Sequence, residues 1–155
     1  MDRRRFIAHA GVAGFALTPI AAMLAGCSRA TLPDGMVEIK WDRDTCVRCS
    51  MVLSDRRFAA QARGGPKDAN FKFDDIGCAA IWLKAQSWGT DPATRLWVAD
   101  IGSRGDNVQW LDARKAWYVG GRTSPMAYNF AAVAAPQPGS LDFDTMRQHV
   151  LTKGT

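Results

Sequence analysis

Residues 71–87 read Phe71-Lys72-Phe73-Asp74-Asp75-Ile76-Gly77-Cys78-Ala79-Ala80-Ile81-Trp82-Leu83-Lys84-Ala85-Gln86-Ser87, and they carry the switch that decides the fold. Phe71-Lys72-Phe73 alternates apolar and polar side chains, the period of a half-buried strand. Asp74 then reads as a helix N-cap with Asp75 in the first turn, because a short carboxylate satisfies the backbone N–H groups that open a helix. Ile76, Ala79, Ala80 and Leu83 recur at helical spacing, and Cys78, Ile81, Trp82 and Ala85 widen that face. The helix runs to about Ser87 and is ended by the stretch from Gly89 to Pro92.

Upstream, Val37 to Trp41 alternates and reads as a strand, and Arg57 to Arg63 as a weaker one. Gly64-Gly65-Pro66-Lys67-Asp68 is a turn. Downstream, Leu96–Ala99, Val108–Trp110, Ala116–Val119 and Phe130–Ala135 read as strands, with a turn-rich loop from Gly102 to Asn107. A turn at 136–139 leads to Leu141-Asp142-Phe143-Asp144, which opens a helix to about Lys153. The two halves echo each other. Cys49-Ser50-Met51 precedes an Ala-rich strand, Phe73-Asp74 and a helix, and Ser124-Pro125-Met126 precedes an Ala-rich strand, Phe143-Asp144 and a helix. The spacing from Met to Phe-Asp is 22 residues in one half and 17 in the other. The expectation is an α+β fold of two similar strand-strand-helix(-strand) lobes, residues 37–92 and 93–155, packed as one domain. A pseudo-twofold between them would bring Met51 and Met126 to one site.

Chemistry concentrates in Thr45-Cys46-Val47-Arg48-Cys49-Ser50-Met51. A Cys-x-x-Cys serves equally as a zinc knuckle, a redox dithiol or a structural disulfide. Met51 adds a thioether in register, and soft sulfur donors select Cu(I). Cys78 has two readings: a small buried hydrophobe on the helix face, or a ligand or redox thiol in the first turn, where the helix dipole favours a thiolate.

Residues 1–26 read as an export signal rather than as fold. Arg3-Arg4-Arg5-Phe6-Ile7 fits a twin-arginine pattern through Arg3 and Arg4, and an interrupted apolar run from Gly11 to Ala25 suits a signal core better than a membrane span. Leu24-Ala25-Gly26-Cys27 resembles a lipobox, so Cys27 is expected to carry lipid and residues 27–36 to form a tether. Cleavage there removes three Arg and one Asp and lowers the formal net charge from +5 to +3. Thiols outside the cytoplasm tend to be oxidised. The odd number left after Cys27, namely Cys46, Cys49 and Cys78, leaves one over, or a set kept reduced by a metal.

Several functions lack their residues. His149 is the one histidine after the signal and reads as a surface residue of the last helix, so nothing points to a Ser-His-Asp arrangement. There is no Gly-rich phosphate loop, and the basic residues form no stripe for nucleic acid. The chain is not read as an enzyme.

Cys46-x-x-Cys49-x-Met51, Phe73-Asp74-Asp75 at a helix start, Trp110-Leu111-Asp112-Ala113-Arg114-Lys115-Ala116-Trp117-Tyr118-Val119 and Ser124-Pro125-Met126 follow one another in the order seen in the NosL-like family. These are accessory lipoproteins of nitrous oxide reductase, and the resemblance spans about residues 37–151. It implies a lipid-anchored Cu(I) chaperone on the periplasmic face of a bacterial membrane. The copper would be delivered to an enzyme such as nitrous oxide reductase and held at positions that map to Cys46, Cys49, Met51 and Met126. The sequence departs from the family's pattern in three places. Ser50 stands where Gly is usual between the second Cys and Met, Ala127 stands where Gly often follows the second Met, and no His follows Met126. Cys78 is then a candidate for the missing donor. Two other functions stay open from the residues: a periplasmic thiol–disulfide protein cycling Cys46 and Cys49, and a structural assembly lipoprotein.

Overall fold

The computed structural model describes residues 31–153. The expected export signal with Arg3 and Arg4, and the expected lipid attachment at Cys27, lie outside these residues. Strand β1 (Ala60–Gly64) and strand β2 (Ala69–Phe73) form an antiparallel hairpin with Ala60 opposite Phe73. Its turn has Gly65 at φ +78° and Asp68 at φ +45°, and the Asp68 N–H donates to the Gly65 carbonyl at 2.9 Å. The chain then enters α1 (Ile76–Lys84). Strands β3 (Arg95–Ala99) and β4 (Trp110–Asp112) complete a four-stranded antiparallel sheet in the order β2-β1-β3-β4. A second sheet pairs β5 (Trp117–Gly120) with β6 (Phe130–Val133), and α2 (Phe143–Lys153) closes the described chain. This is the α+β mixture expected. The larger sheet draws two strands from each side of residue 93, through β1 paired with β3.

One core serves all of these elements. Phe73, Ile76, Cys78, Ala79, Ala80 and Leu83 from β2 and α1 meet Tyr118, Met146 and Val150 from β5 and α2. Ala59, Ala60 and Ala62 are fully buried, and their small side chains let the elements approach closely. Tyr118 is wholly buried, and its hydroxyl donates to the Ala113 carbonyl at 2.6 Å, which satisfies the polar end of a core ring. The two sheets are joined where Asp100 bridges Ala132 in parallel and the Ile101 N–H donates to the Ala132 carbonyl at 2.9 Å.

Three expected elements differ; the strand expected at Val108–Trp110 lies two residues later, as β4. Val37–Trp41 is not a strand; it lies by β1, whose two edges are occupied by β2 and β3. The segment is held instead by a side chain that imitates a peptide: the Val37 N–H donates to Gln61 Oε1 at 2.8 Å, and Gln61 Nε2 donates to the Val37 carbonyl at 2.9 Å. Gln61 is fully buried, so both ends of its amide must be satisfied. Helix α1 ends at Lys84, short of Ser87. The chain tightens there, with Gln86 N–H donating to the Leu83 carbonyl at 3.0 Å, and returns so close that a Cβ on Gly89 would lie 1.9 Å from that carbonyl oxygen. Trp88 then stacks on Phe71 at 5.6 Å and meets Trp82 edge-on at 5.7 Å. Among the described residues, no helix is long and apolar enough to cross a membrane.

Candidate metal centre

The Cys-x-x-Cys lies in a tight hairpin between strand-like arms. Thr45 bridges Val52, the Cys46 N–H donates to the Met51 carbonyl at 2.8 Å, and the Ser50 N–H donates to the Cys46 carbonyl at 2.9 Å. Closing so short a turn places Ser50 at φ +64°, the left-handed region in which glycine is free of strain. Leu53 anchors the hairpin in the core, and the Val47 N–H reaches the Lys72 carbonyl of β2 at 3.0 Å. The hairpin therefore lies against the strand-to-helix junction, with Cys46 buried and Cys49 half-buried.

At that junction the two aspartates divide the work. Asp75, not Asp74, is the N-cap of α1: it has extended backbone, φ −148° and ψ 140°, and its Oδ1 accepts from the Gly77 N–H at 2.8 Å. The helix begins one residue later than the sequence reading placed it. Asp74 is released from capping, is 3% exposed, and turns its carboxylate to the thiols. The Cys49 thiol lies 3.4 Å from each of its oxygens and donates to them. Ligand atoms of Cys46, Cys49, Asp74 and Cys78 all fall within 4.8 Å of one another. The Arg48 guanidinium lies 3.8 Å from Cys78 Sγ and over the Tyr128 ring, 6.0 Å from its centroid.

The cluster shares its charge unevenly. A hydrogen bond from Cys78 pulls the Cys46 thiol down to about 4, helped by backbone N–H donors at Cys49 and Asp74. Burial pushes Cys49 up to about 11. The Cys78 thiol, as donor to Cys46, is driven far above its ordinary value, and burial adds to this. Burial also raises Asp74 to about 6, with the Cys46 sulfur reinforcing the shift. At neutral pH the centre is one thiolate, two thiols and a carboxylate beside a guanidinium. The thiolate belongs to Cys46 rather than to the residue at the helix N-terminus, because a direct S–H donor and two backbone donors outweigh the dipole at Cys78.

The second loop approaches the same junction. Ser124 Oγ donates to Asp75 Oδ2 at 2.5 Å, and the Met126 N–H lies 3.4 Å from that oxygen. Ala127 has φ +58°, so the second position where the family pattern expects Gly is also left-handed. Met126 is half-buried against the core, while Met51 is 45% exposed on the hairpin. His149 is exposed on α2, edge-on to Phe130 at 6.2 Å. The structure thus brings Cys46, Cys49 and Cys78 together. It places Met51 and Met126 on the two loops that flank the junction. Asp74 was missed as a candidate ligand because the pair was read as capping. The available signal was that a helix has one N-cap, so a second aspartate beside it needs another partner.

Three sulfurs and one carboxylate at this spacing can hold a single soft or borderline ion such as Cu(I) or Zn(II). Fold and site together define a small α+β domain with a thiol-rich centre at a strand-to-helix junction. The sequence profile of the NosL family matches residues 37–137, and the chain belongs to that family. No curated protein matches the chain. The crystal structure of the copper chaperone NosL from Shewanella denitrificans is similar, at 17% sequence identity and a TM-score of 0.47, over 75% of this chain and 88% of that one.

Proposed function

We propose that this protein is a Cu(I) carrier, not an enzyme. It takes the ion on Cys46, Cys49 and Cys78 and hands it to a copper enzyme such as nitrous oxide reductase. The observation that carries this reading is the convergence of three thiols and Asp74 within 4.8 Å, in a member of the NosL family. Thiolates hold Cu(I) firmly, and the flanking thioethers of Met51 and Met126 are neutral donors that can take it over one at a time during transfer. Met51, at the exposed edge of the hairpin, is placed to meet a client first. A thiol–disulfide exchanger is less well supported. In that chemistry the attacking thiolate must be reachable, and here the low-lying thiol, Cys46, is 1% exposed. The same reading has the protein exported by its twin-arginine segment and held at the periplasmic face of a membrane by lipid on Cys27.

The test is an anaerobic titration of the reduced protein with Cu(I) and Zn(II) against competing chelators, on the parent and on Cys46→Ser, Cys49→Ser and Cys78→Ser. Tight Cu(I) binding that each substitution weakens, with folding retained, supports the reading. Parent-like Cu(I) binding in all three variants puts the site elsewhere. Zn(II) binding that outcompetes Cu(I) makes the centre a structural zinc site.

A further inference from the structure

Asp75 does two things at once. Its Oδ1 caps α1, and its Oδ2 receives the Ser124 hydroxyl and the Met126 N–H from the opposite half of the fold. It is fully buried, and a buried carboxylate persists only where donors surround it. Two of its three donors arrive on the 124–129 loop. That loop is tied back on itself: the Asn129 N–H donates to Ser124 Oγ at 2.9 Å and the Ala127 N–H to the Ser124 carbonyl at 3.0 Å. Ser124 is therefore the single hydroxyl through which the loop is fastened to the helix that bears Cys78.

Fastening brings Tyr128 down on the first turn of α1. A Cβ on Gly77 would lie 2.2 Å from Tyr128 Cδ2, so the ring occupies the space a side chain would need, one residue from Cys78. Tyr128 is 7% exposed, and Arg48 of the Cys-x-x-Cys hairpin lies over its ring. The loop, the hairpin and the helix start thus close on one another around the thiols.

We propose that the Asp75–Ser124 hydrogen bond is a latch that holds the 124–129 loop shut over the thiol centre and sets how fast an ion enters and leaves. This rests on the carrier reading above. Asp75 and Ser124 are positioning residues: they act through Tyr128 and the loop and do not touch the ion. Opening the loop leaves Asp75 with the Gly77 N–H alone until water replaces the lost donors, which keeps the closed state dominant. A latch of this kind differs from a ligand in its kinetic signature. Weakening it speeds exchange in both directions and leaves the equilibrium nearly unchanged, because the loop closes over the empty and the loaded centre alike.

The experiment uses the full chain and Cu(I), with transfer to and from a chromophoric chelator followed by stopped flow. Hydrogen bonds to charged groups are worth enough that Ser124→Ala should speed both loading and release about tenfold or more, with affinity changed less than about threefold. Ser124→Thr, which keeps the hydroxyl, should restore the parent rates. If Ser124→Ala does not fold, Asp75→Asn is read in its place; it keeps one oxygen for the cap but sets an amide N–H2 against the Ser124 hydroxyl and the Met126 N–H, so it should speed both directions at least as much. A folded Ser124→Ala or Asp75→Asn with parent-like rates overturns the latch, as does a loss of affinity carried by release alone, which would make the loop a holder of ligands. Parent protein that binds no Cu(I) at its thiols fails the carrier reading itself, a result visible before any Ser124 variant is measured.

Discussion

Ala127→Gly is expected to stabilise the protein, and the size of the effect follows from the backbone. Ala127 holds φ +58° with its side chain exposed, so the methyl group contributes no packing and imposes only strain. An L-residue in the left-handed region is disfavoured by about 1–2 kcal/mol. Glycine removes that strain but has more freedom in the unfolded chain, which offsets roughly 0.5–1 kcal/mol of the gain. The net is a stabilisation of about 0.5–1 kcal/mol, or roughly 2–5 °C in Tm for a domain of this size. Ser50→Gly, at φ +64° and also exposed, should behave alike. The control is Ala85→Gly at the end of α1, where φ is −82° and the same chemical change should destabilise by about 0.5–1 kcal/mol. Urea denaturation of the metal-free protein measures all three. A midpoint for Ala127→Gly at or below the parent, with Ala85→Gly lowered as expected, refutes the strain argument.

Other outcomes follow from the site. Cys49 and Cys78 are protonated at neutral pH and Cys46 is not, so binding as a three-thiolate set must displace two protons; Cu(I) affinity should rise with pH by roughly tenfold to a hundredfold per unit between about pH 6 and 8, and a flat profile would show that the two raised thiols are not ligands. Gly77→Ala forces a Cβ into the Tyr128 ring; tryptophan and tyrosine fluorescence, with a loss of about 1–3 kcal/mol in urea denaturation, should report the displaced loop. Met126→Leu conserves volume, so stability should fall by less than about 1.5 kcal/mol while X-ray absorption of the loaded Cu(I) form keeps the parent's sulfur shell and transfer to an acceptor slows; parent-like transfer removes Met126 from the handover. Cys27→Ser should release the protein from the membrane fraction, and unchanged fractionation would rule out a lipid anchor at that residue.

The parts of the fold that were legible in sequence are those where a local pattern and the tertiary environment agree. Phe71-Lys72-Phe73 alternates and is the end of β2; Ile76, Ala79, Ala80 and Leu83 recur at helical spacing and are the buried face of α1. Val37–Trp41 has the pattern of a strand but no strand partner, since it meets β1, whose two edges β2 and β3 occupy, through the Gln61 side chain. The thiol centre was half legible. Cys46 and Cys49 declare themselves by spacing, but nothing local ties Cys78 or Asp74 to them. That contact depends on the hairpin docking against β2 through Val47 and Leu53, a long-range event with no short-range signature. The departures at Ser50 and Ala127 were visible as letters. Their meaning came from the backbone, since both positions are left-handed.

The cysteines of the centre come from two places in the chain, a hairpin at 46–49 and a helix start at 78, with the β1–β2 ribbon between them. An ion gripping both ends is a removable cross-link. Joining Cys49 to Cys78 closes a loop of about 30 residues, a constraint on the unfolded chain worth about 3–4 kcal/mol in the chain-entropy picture. A cargo-bearing molecule and a spent one would then differ in mechanical toughness as well as in content. The loaded form is thus expected to resist limited proteolysis of the hairpin longer than the metal-free one.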